Sequence, residues 1–533
     1  MNFRHYILLF FCIVNISFGT LLVQDGKVLG DLSKESSYSV AGNEIVLNDE
    51  YGTLLFKDEF YYGSFAVKVN CSFLSDGKFI VAIGADEFIF DSSSDKITSR
   101  GHTGVRAFKD KPLSVKLSDY VDSEKYDFVF MNVSGTFKIM INGKDVYENE
   151  YQRDTIGQLC IYSEGASVAI KSLEVEGEFE AVPQKVKVFT CGENGYAYYR
   201  IPAIIRAKDG TLLAFAEGRH DSLHDNGNID QVIKRSFDNG KSWSDFKVLH
   251  DNGNYNASNP CPILDEKTGR IHYVYTTYQR WGADEYAIYY RYSDDSGASW
   301  SQPVDVKQNT VGNDWGALHP GPGHGIMLDN GRLLASCWVA SKEVRGKFSS
   351  AAIFSDDNGK NWQWAGTICD YSDECMLTRI ADNGCCMFIR PGNKILPDGS
   401  KEKPLEFKKL AFSDNGGNTW TEAKYNKQLP SVVCQGSIIT DVDNDVVYAV
   451  HPASGSYKGG SEEGPLWDSH RAGLTVSKSK DKGKTWQKIK LVCPGRSAYS
   501  DVALLSEKEL GILFEGGRTN TYKNIYFTVV SVD

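Results

Sequence analysis

A short motif, Ser-x-Asp-x-Gly-x-x-Trp, recurs through the last two thirds of the chain and constrains the fold more than any other feature. Four copies keep the full pattern, and a fifth carries Asn415 where the others carry Asp; the copies begin at Ser236, Ser293, Ser355, Ser413 and Ser479. Successive copies start roughly 57 to 66 residues apart, which suits one four-stranded propeller blade each. About 350 residues at this period give six blades. We therefore predict a six-bladed β-propeller over residues 185–533.

Within each copy the residue types predict a turn. Asp accepts hydrogen bonds from the backbone amides that follow it, Gly adopts a left-handed conformation, and Trp packs back beneath the hairpin. Asn makes similar hydrogen bonds, so Asn415 should be accommodated. Because the motif is repeated while an active site is single, we assign the box aspartates a structural role and exclude them from catalysis.

Strand patterns dominate the whole chain, and convincing helical patterns are almost absent, so the fold class is all-β. A charged stretch that includes Pro183 separates two regions. Residues 21–180, before it, show no repeat and predict a single β-sandwich of the jelly-roll, lectin-like kind. The hairpin at 136–147, turning at Asn142-Gly143, is the best local signal in this region. Carbohydrate binding and a spacer role are equally compatible with such a domain.

The first residues predict export. Residues 1–20 combine a charged start at Arg4 with an apolar run too short to span a bilayer, followed by the small residues Ser17 and Gly19. This pattern is typical of a secretory signal peptide, so we expect a secreted, periplasmic or cell-surface protein. Elsewhere no stretch is long and apolar enough for a membrane span.

Charge and cysteine content exclude several other functions. The net charge of −11 argues against a nucleic-acid partner, which requires a basic face, although a local group of arginines can still bind a small anion. The chain has 12 cysteines, and without the leader an odd number remains, which favours buried thiols over a complete disulfide framework. No Cys/His grouping has the spacing of zinc ligands, so we expect no metal and no cofactor.

Unrepeated residues around the boxes separate an enzyme from a scaffold. The segment Tyr199-Arg200-Ile201-Pro202 opens the repeat region, and Glu217-Gly218-Arg219 and Asp225 follow. With the five boxes, this combination resembles the sialidase (neuraminidase) family of six-bladed propellers over roughly residues 185–533. The resemblance implies sialylated glycans as the substrate class.

The resemblance also implies a role for individual residues. Arg390 lies sixteen residues after Glu374, a spacing similar to the family's glutamate-to-arginine segment. The implied roles are three arginines that grip the sialic acid carboxylate (Arg200, Arg390, Arg471), a nucleophilic tyrosine (Tyr499) with its glutamate partner (Glu374), an acid/base aspartate (Asp225), a glutamate that orients the first arginine (Glu515), and a further arginine at the pocket rim (Arg219).

The chemistry suits these residue types. Guanidiniums hold a carboxylate through paired, charge-assisted hydrogen bonds. A neutral phenol avoids the repulsion that an Asp or Glu nucleophile would meet at a substrate with a carboxylate on the reacting carbon, and sialidases with a tyrosine nucleophile depart from the two-carboxylate rule. We expect double displacement with retention through a Tyr499-sialyl intermediate. We also expect partial burial to raise the pKa of Asp225, because that residue must donate a proton.

Several alternatives stay open at this stage. Asp221 and Asp230 compete with Asp225 for the acid/base role, and the chain has Thr378-Arg379-Ile380 where the family usually carries a further acidic residue. A trans-sialidase or an intramolecular trans-sialidase would share the same residues as a hydrolytic exo-sialidase. A catalytically silent sialoglycan-binding propeller is expected to lack Tyr499, Glu374 or Asp225, and a protein-interaction scaffold does not need the unrepeated arginines.

Overall fold

The computed structural model describes two compact units, one ending at residue 182 and the other beginning at Pro183. The described residues are 20–29, 36–48, 52–61, 65–83, 86–101, 113–120, 125–133, 136–150, 155–176, 179–180, 183–244, 246–279, 286–310, 312, 315–453, 471–517 and 521–532. The predicted signal peptide lies almost wholly outside them. In the described part of the chain no helix is long and apolar enough to cross a membrane.

The first unit is a sandwich of two largely antiparallel sheets, as predicted. Its strands are β1 (Thr20–Gln24), β2 (Lys27–Val28), β3 (Ser39–Ala41), β4 (Glu44–Leu47), β5 (Thr53–Tyr61), β6 (Phe65–Phe73), β7 (Lys78–Ile83), β8 (Asp86–Asp91), β9 (Lys96–Gly101), β10 (Ser114–Val115), β11 (Lys125–Val133), β12 (Thr136–Ile141), β13 (Lys144–Glu150), β14 (Thr155–Glu164), β15 (Val168–Glu176) and β16 (Phe179–Glu180), with a 3₁₀ turn at Leu117–Tyr120. One sheet runs β13-β12-β11-β6-β15-β1-β2 with β3 and β4 attached, and the other runs β10-β9-β8-β7-β14-β5-β16.

Aromatic side chains fill the space between these two sheets. Phe128 on β11 lies 4.3 Å from Phe90 on β8 between ring centroids, and Phe130 lies 5.3 Å from Phe88. Alternate residues of each strand point inward, so Phe88 and Phe90 on β8 and Tyr126, Phe128 and Phe130 on β11 are buried in one core. The predicted hairpin is confirmed, since β12 and β13 pair across a turn in which Asn142 and Gly143 both have positive φ.

The second unit is the six-bladed propeller. From innermost to outermost strand, blade 1 contains β18 (Tyr198–Arg206), β19 (Leu212–Arg219), β20 (Ile229–Ser236) and β21 (Lys247–His250), and blade 2 contains β22 (Asn256–Leu264), β23 (Ile271–Tyr278), β24 (Tyr286–Ser293) and β25 (Val304–Asp305). Blade 3 contains β26 (Trp315–Pro320), β28 (Leu333–Ser341), β29 (Phe348–Ser355) and β30 (Gln363–Asp370), with β27 (Ile326–Met327) added, and blade 4 contains β31 (Ser372–Arg379), β32 (Cys385–Pro391), β35 (Phe407–Ser413) and β36 (Lys424–Pro430), with a small hairpin of β33 (Lys394–Ile395) and β34 (Lys401–Glu402). Blade 5 contains β37 (Ser437–Asp441), β38 (Val446–Pro452), β39 (Ala472–Ser479) and the first part of β40 (Gln487–Ser506), and blade 6 contains the second part of β40, β41 (Glu509–Gly516), β42 (Asn524–Ser531) and β17 (Lys185–Thr190).

The ring closes through the two ends of this unit. β17, from the start of the unit, pairs antiparallel with β42 from its end and supplies the outer strand of the last blade. β40 is long enough to serve two blades, because residues 487–496 pair with β39 and residues 497–506 pair with β41. Both arrangements hydrogen-bond strand edges that would otherwise be open.

The repeated boxes form the predicted turns after the third strand of five blades. In the first copy, the Gly240 amide donates to Ser236 Oγ (2.8 Å) and the Ser242 amide donates to Asp238 Oδ1 (2.9 Å). Asn415 accepts the equivalent hydrogen bond from the Thr419 amide at 3.0 Å, so this copy keeps the same turn. Since antiparallel strands alternate in direction, the boxes lie at the opposite end of each blade from the start of its innermost strand.

Bulges interrupt the innermost strand of five blades near its beginning. The pairing shifts between Arg200 and Ala203 in β18 and between Ser497 and Ser500 in β40, and β22, β26 and β31 show the same irregularity. A bulge re-aims a side chain and is common next to active sites. Ile201, in the first bulge, has a φ of 56°, which a β-branched residue adopts only when its surroundings impose it.

The cysteines of the described residues are all free, and every one except the half-buried Cys191 is buried. This confirms the prediction that they pack as small apolar side chains.

Candidate active site

The centre of the site is a buried tyrosine–glutamate pair. Tyr499 stands at the bulge of β40, and its hydroxyl donates a hydrogen bond to Glu374 Oε1 from the bulge of β31. Burial and the nearby Glu374 carboxylate hold the pKa of Tyr499 well above its usual value, although the surrounding arginines oppose this shift. The phenol is therefore neutral in the free site and already points its proton at a carboxylate.

Arg390 completes a triangle with this pair. Its Nη1 donates to Tyr499 Oη at 2.8 Å and to Glu374 Oε2, and its Nη2 lies 3.5 Å from Asp373 Oδ2. The register of β31 and β32 pairs Ser372 with Pro391, which brings Glu374 and Arg390 to the same end of the hairpin. The spacing of sixteen residues noted in the sequence is thus the length of one tight hairpin.

Arg200 is held by Glu515. Its Nε and Nη2 donate to the two carboxylate oxygens at 3.0 and 3.2 Å, and both side chains are buried. Glu515 also accepts hydrogen bonds from the backbone amides of Ile201 (2.9 Å) and Tyr499 (3.2 Å). One carboxylate therefore aligns the guanidinium of Arg200, supports the strained backbone of Ile201 and fixes the backbone of Tyr499.

Arg471 differs from the other two arginines because no carboxylate of the described residues lies within 4 Å of it. Its Nη1 donates to Tyr522 Oη and its Nη2 to the carbonyl oxygen of Val433, both at 3.1 Å. The guanidiniums of Arg471 and Arg200 each lie 5.1 Å from the ring centroid of Tyr499. Arg200, Arg390 and Arg471 therefore converge on one phenol, and among the described residues no carboxylate pairs with the buried charge of Arg471.

Asp225 lies in the loop between β19 and β20. Its Oδ1 accepts from Arg219 Nη2 at 2.8 Å, and Arg219 is also paired with Glu217, two residues earlier on the same face of β19. The loop is held by the second blade, because the Asp225 carbonyl oxygen accepts from Asn256 Nδ2 (2.7 Å) and Tyr278 Oη (2.9 Å).

The expected rise in the pKa of Asp225 is wrong for the free site. Partial desolvation by the surrounding protein acts to raise this pKa, but Arg219 and Arg200 outweigh it, and the pKa lies below its usual value. The side chain is 61% exposed, so it stands at the open mouth of the site and not in an apolar recess. The carboxyl is therefore ionised before substrate binds.

The two competing aspartates are placed differently. Asp230 is buried and accepts hydrogen bonds from Tyr196 Oη (2.6 Å) and His220 Nε2 (3.0 Å), so it stabilises the blade. Asp221 is exposed to solvent. Asp225 is the one of the three whose side chain contacts Arg219.

Three further residues belong to the site but were missed in the sequence. The ring centroid of Tyr522 lies 4.2 Å from the guanidinium carbon of Arg200, and its hydroxyl accepts a hydrogen bond from Arg471. No sequence motif distinguishes it from the other tyrosines of the chain. Asp373 is half-buried beside Arg390, and desolvation by the surrounding protein raises its pKa to about 6. Glu217 could have been recognised from the sequence, because a residue two positions before Arg219 on the same strand must lie on the same face of the sheet.

Comparison with known proteins places this geometry in a family. The BNR repeat-like domain family matches residues 210–512, more than half of the chain. A sialidase of Paraclostridium sordellii is 30% identical over 284 residues, covering 48% of this chain and 67% of that protein. The chain belongs to the sialidase family. Sialidase-3 of Mus musculus is 26% identical over 399 residues, covering 64% of this chain and 93% of the relative.

The likeness extends to the fold of nearly the whole chain. The solved structure of Hadza microbial sialidase Hz136 superposes with a TM-score of 0.58 at 17% identity, covering 94% of this chain and 98% of that one. Membership of the sialidase family makes this chain a glycoside hydrolase. The predicted family and the predicted propeller are confirmed.

Proposed function

We propose that this sialidase-family enzyme is a hydrolytic exo-sialidase that releases terminal sialic acids from glycans, with retention, through a covalent Tyr499 intermediate. One observation carries the proposal. Three guanidiniums surround a tyrosine–glutamate pair, and the buried Arg471 has no carboxylate partner among the described residues. A buried cation without an anion favours an anionic ligand, and a sialoside supplies a carboxylate on the carbon that reacts.

Binding is the first step. The substrate carboxylate accepts hydrogen bonds from Arg200, Arg390 and Arg471, which sets the anomeric carbon next to Tyr499 Oη. Glu515 holds Arg200 from behind, so part of the cationic site is rigid before substrate arrives. Such preorganisation reduces the entropy lost on binding and fixes the direction of attack.

Transfer to the enzyme is the second step. Tyr499 gives its proton to Glu374 while Oη forms a bond to the anomeric carbon, and the bond to the leaving oxygen breaks. Arg390 donates to Tyr499 Oη at 2.8 Å and so stabilises the phenolate character that develops there. Asp225, protonated in the complex, supplies a proton to the leaving oxygen.

Hydrolysis is the third step. Asp225, now ionised, removes a proton from water, which attacks the anomeric carbon from the side that the leaving group vacated. The bond to Tyr499 breaks, and Glu374 returns the proton to the phenol oxygen. Two inversions at one carbon give net retention.

The competing functions make different products. Release of free sialic acid from an aryl sialoside, followed by NMR from the first turnovers, tests the proposal directly. An α-anomer as first product supports retaining hydrolysis, whereas a β-anomer contradicts it. An anhydro sugar indicates an intramolecular trans-sialidase, and transfer to added lactose indicates a trans-sialidase. A silent binding propeller gives no product at all.

The pattern in residues 1–20 supports export, and we propose that the enzyme acts outside the cell or in the periplasm. Mass determination of the protein recovered from its host tests this, because a mature chain starting near residue 21 is expected. We also propose that the domain formed by residues 21–180 binds glycans, which would concentrate the enzyme on polymeric substrates.

A further inference from the structure

A fully buried lysine lies close enough to Arg390 and Arg471 to be affected by their charges. Lys408, near the start of β35, has no exposed surface, and its Nζ donates to the carbonyl oxygen of Cys434 at 2.6 Å. The ammonium lies 5.0 Å from the ring centroid of Phe388, and no carboxylate of the described residues is within 4 Å of it. A buried, unpaired lysine is rare because its charge loses hydration without compensation.

The segment that Lys408 binds touches two parts of the site. Residues 433–435, which we name the bracing segment, connect β36 to β37. The Val433 carbonyl oxygen accepts from Arg471 Nη2 at 3.1 Å. The Gln435 side chain accepts from the Ser500 amide and donates to the Ser500 carbonyl oxygen, both at 3.0 Å. Three consecutive residues therefore bind Arg471, Lys408 and the residue that follows Tyr499.

We propose that Lys408 is a positioning residue, which fixes the bracing segment so that the Val433 carbonyl oxygen holds Arg471 in the orientation that grips the substrate carboxylate. This inference rests on the proposed sialidase function. Among the described residues Arg471 has no carboxylate support like that which Glu515 gives Arg200, so its alignment comes from Tyr522 Oη and from the Val433 carbonyl oxygen. The position of that carbonyl depends on the loop that carries it.

Stability alone does not account for this lysine. Burial, together with the charges of Arg390 and Arg471, lowers the pKa of Lys408 to about 7. A lysine whose folded pKa lies below its unfolded value destabilises the folded state at any pH where the unfolded chain is protonated. An apolar side chain of similar length is therefore expected to stabilise the propeller, while it leaves the Cys434 carbonyl without this donor.

The test compares Lys408→Met with Lys409→Met in the full chain. Lys409 is the next residue on β35, is half-buried, and lies near Cys369 and Tyr425 instead of the arginines. For K408M we expect KM for an aryl sialoside and the dissociation constant of free sialic acid to rise about tenfold, with kcat within about threefold. The unfolding temperature should stay equal or increase. K409M should match the wild type in all four measurements.

A double variant separates positioning from core packing. If Lys408 acts through Arg471, the rise in KM of K408M combined with R471K should be smaller than the product of the two single effects. Should K408M aggregate, Lys408→Gln replaces it; this variant keeps an N–H donor and should give an intermediate KM. KM and dissociation constant within twofold of wild type, or strictly multiplicative effects, would overturn the proposal. A wild type that neither binds sialic acid nor cleaves the sialoside would overturn the proposed function as well.

Discussion

Replacement of Glu515 should disturb several parts of the site at once, because its carboxylate accepts four hydrogen bonds. Two come from Arg200, one from the Ile201 amide and one from the Tyr499 amide, at 2.9 to 3.2 Å. In Glu515→Gln the side chain keeps its shape but loses its charge, and its amide group presents hydrogens to donors. Arg200 is then a buried cation that has lost its carboxylate partner among the described residues.

The magnitude follows from that change. Breaking one side of a buried ion pair typically destabilises a protein by about 3–5 kcal/mol. For a unit as large as this propeller, each kcal/mol lowers the melting temperature by roughly 2 °C, so we expect a decrease of about 6–10 °C. Misalignment of Arg200 and of the Tyr499 backbone should also lower kcat/KM by about 10- to 100-fold. This ratio corresponds to the free energy of one hydrogen bond to a charged group.

The matched control is another two-pronged arginine–carboxylate pair. Arg270 donates to both oxygens of Asp294 at 2.7 and 2.9 Å, but the Asp294 side chain is 57% exposed. Asp294→Asn should change stability by no more than about 1 kcal/mol, because water screens an exposed pair. Thermal and denaturant unfolding of both variants, with steady-state kinetics, completes the experiment. Equal and small changes in the two variants would refute the role given to Glu515.

Three further predictions concern the site and the domain boundary. Tyr499→Phe should lower kcat by about three orders of magnitude or more while sialic acid still binds, and a loss below about tenfold would contradict the nucleophile role. Arg471→Lys keeps the charge but loses the planar fork, so calorimetry should show sialic acid binding weakened by about 1.5–3 kcal/mol; unchanged affinity would exclude Arg471 from the carboxylate site. A chain that begins at Pro183 should fold and cleave a small aryl sialoside at near wild-type rate, losing efficiency only on mucin. If that chain folds but is inactive, residues 21–180 contribute to the site.

The propeller was predictable because its signal is periodic and local. Each box forms a turn from residues within eight positions of one another, as the hydrogen bonds of Ser236, Asp238 and Gly240 show. Glu374 and Arg390 were assigned from a spacing similar to the family's, and the structure pairs them because the sixteen residues span one hairpin. Sharing of β40 between two blades leaves no such pattern, because it depends on which neighbours meet each half of the strand.

The rest of the site depends on contacts between distant segments. Tyr522 and the bracing segment have no motif, and they become recognisable only when the ring brings them to Arg471. The error at Asp225 has the same origin. Its role suggested that partial burial raises its pKa, but the arginines that the fold gathers around the carboxyl outweigh its desolvation and lower that pKa.

That balance raises a question of mechanism, since an ionised Asp225 cannot donate a proton. The substrate carboxylate brings a negative charge to Arg200 and Arg471, two of the cations that lower the pKa of Asp225 in the free enzyme. Binding should therefore raise this pKa, so the carboxyl takes up a proton in the complex. Since the pH dependence of kcat/KM reports the free enzyme and that of kcat reports the complex, the alkaline limb of kcat should lie at higher pH than that of kcat/KM.

Asp225→Asn tests the same reasoning through the leaving group. A nitrophenolate leaves without help from an acid, whereas the sugar alcohol of sialyllactose needs a proton. We expect the variant to lose about 10²- to 10⁴-fold in kcat on sialyllactose and much less on nitrophenyl sialoside. Asp221→Asn, an exposed neighbour in the same loop, should behave as wild type on both substrates. Equal losses of Asp225→Asn on the two substrates would mean that Asp225 binds the sugar or positions Arg219, and that the proton for the leaving oxygen comes from another group.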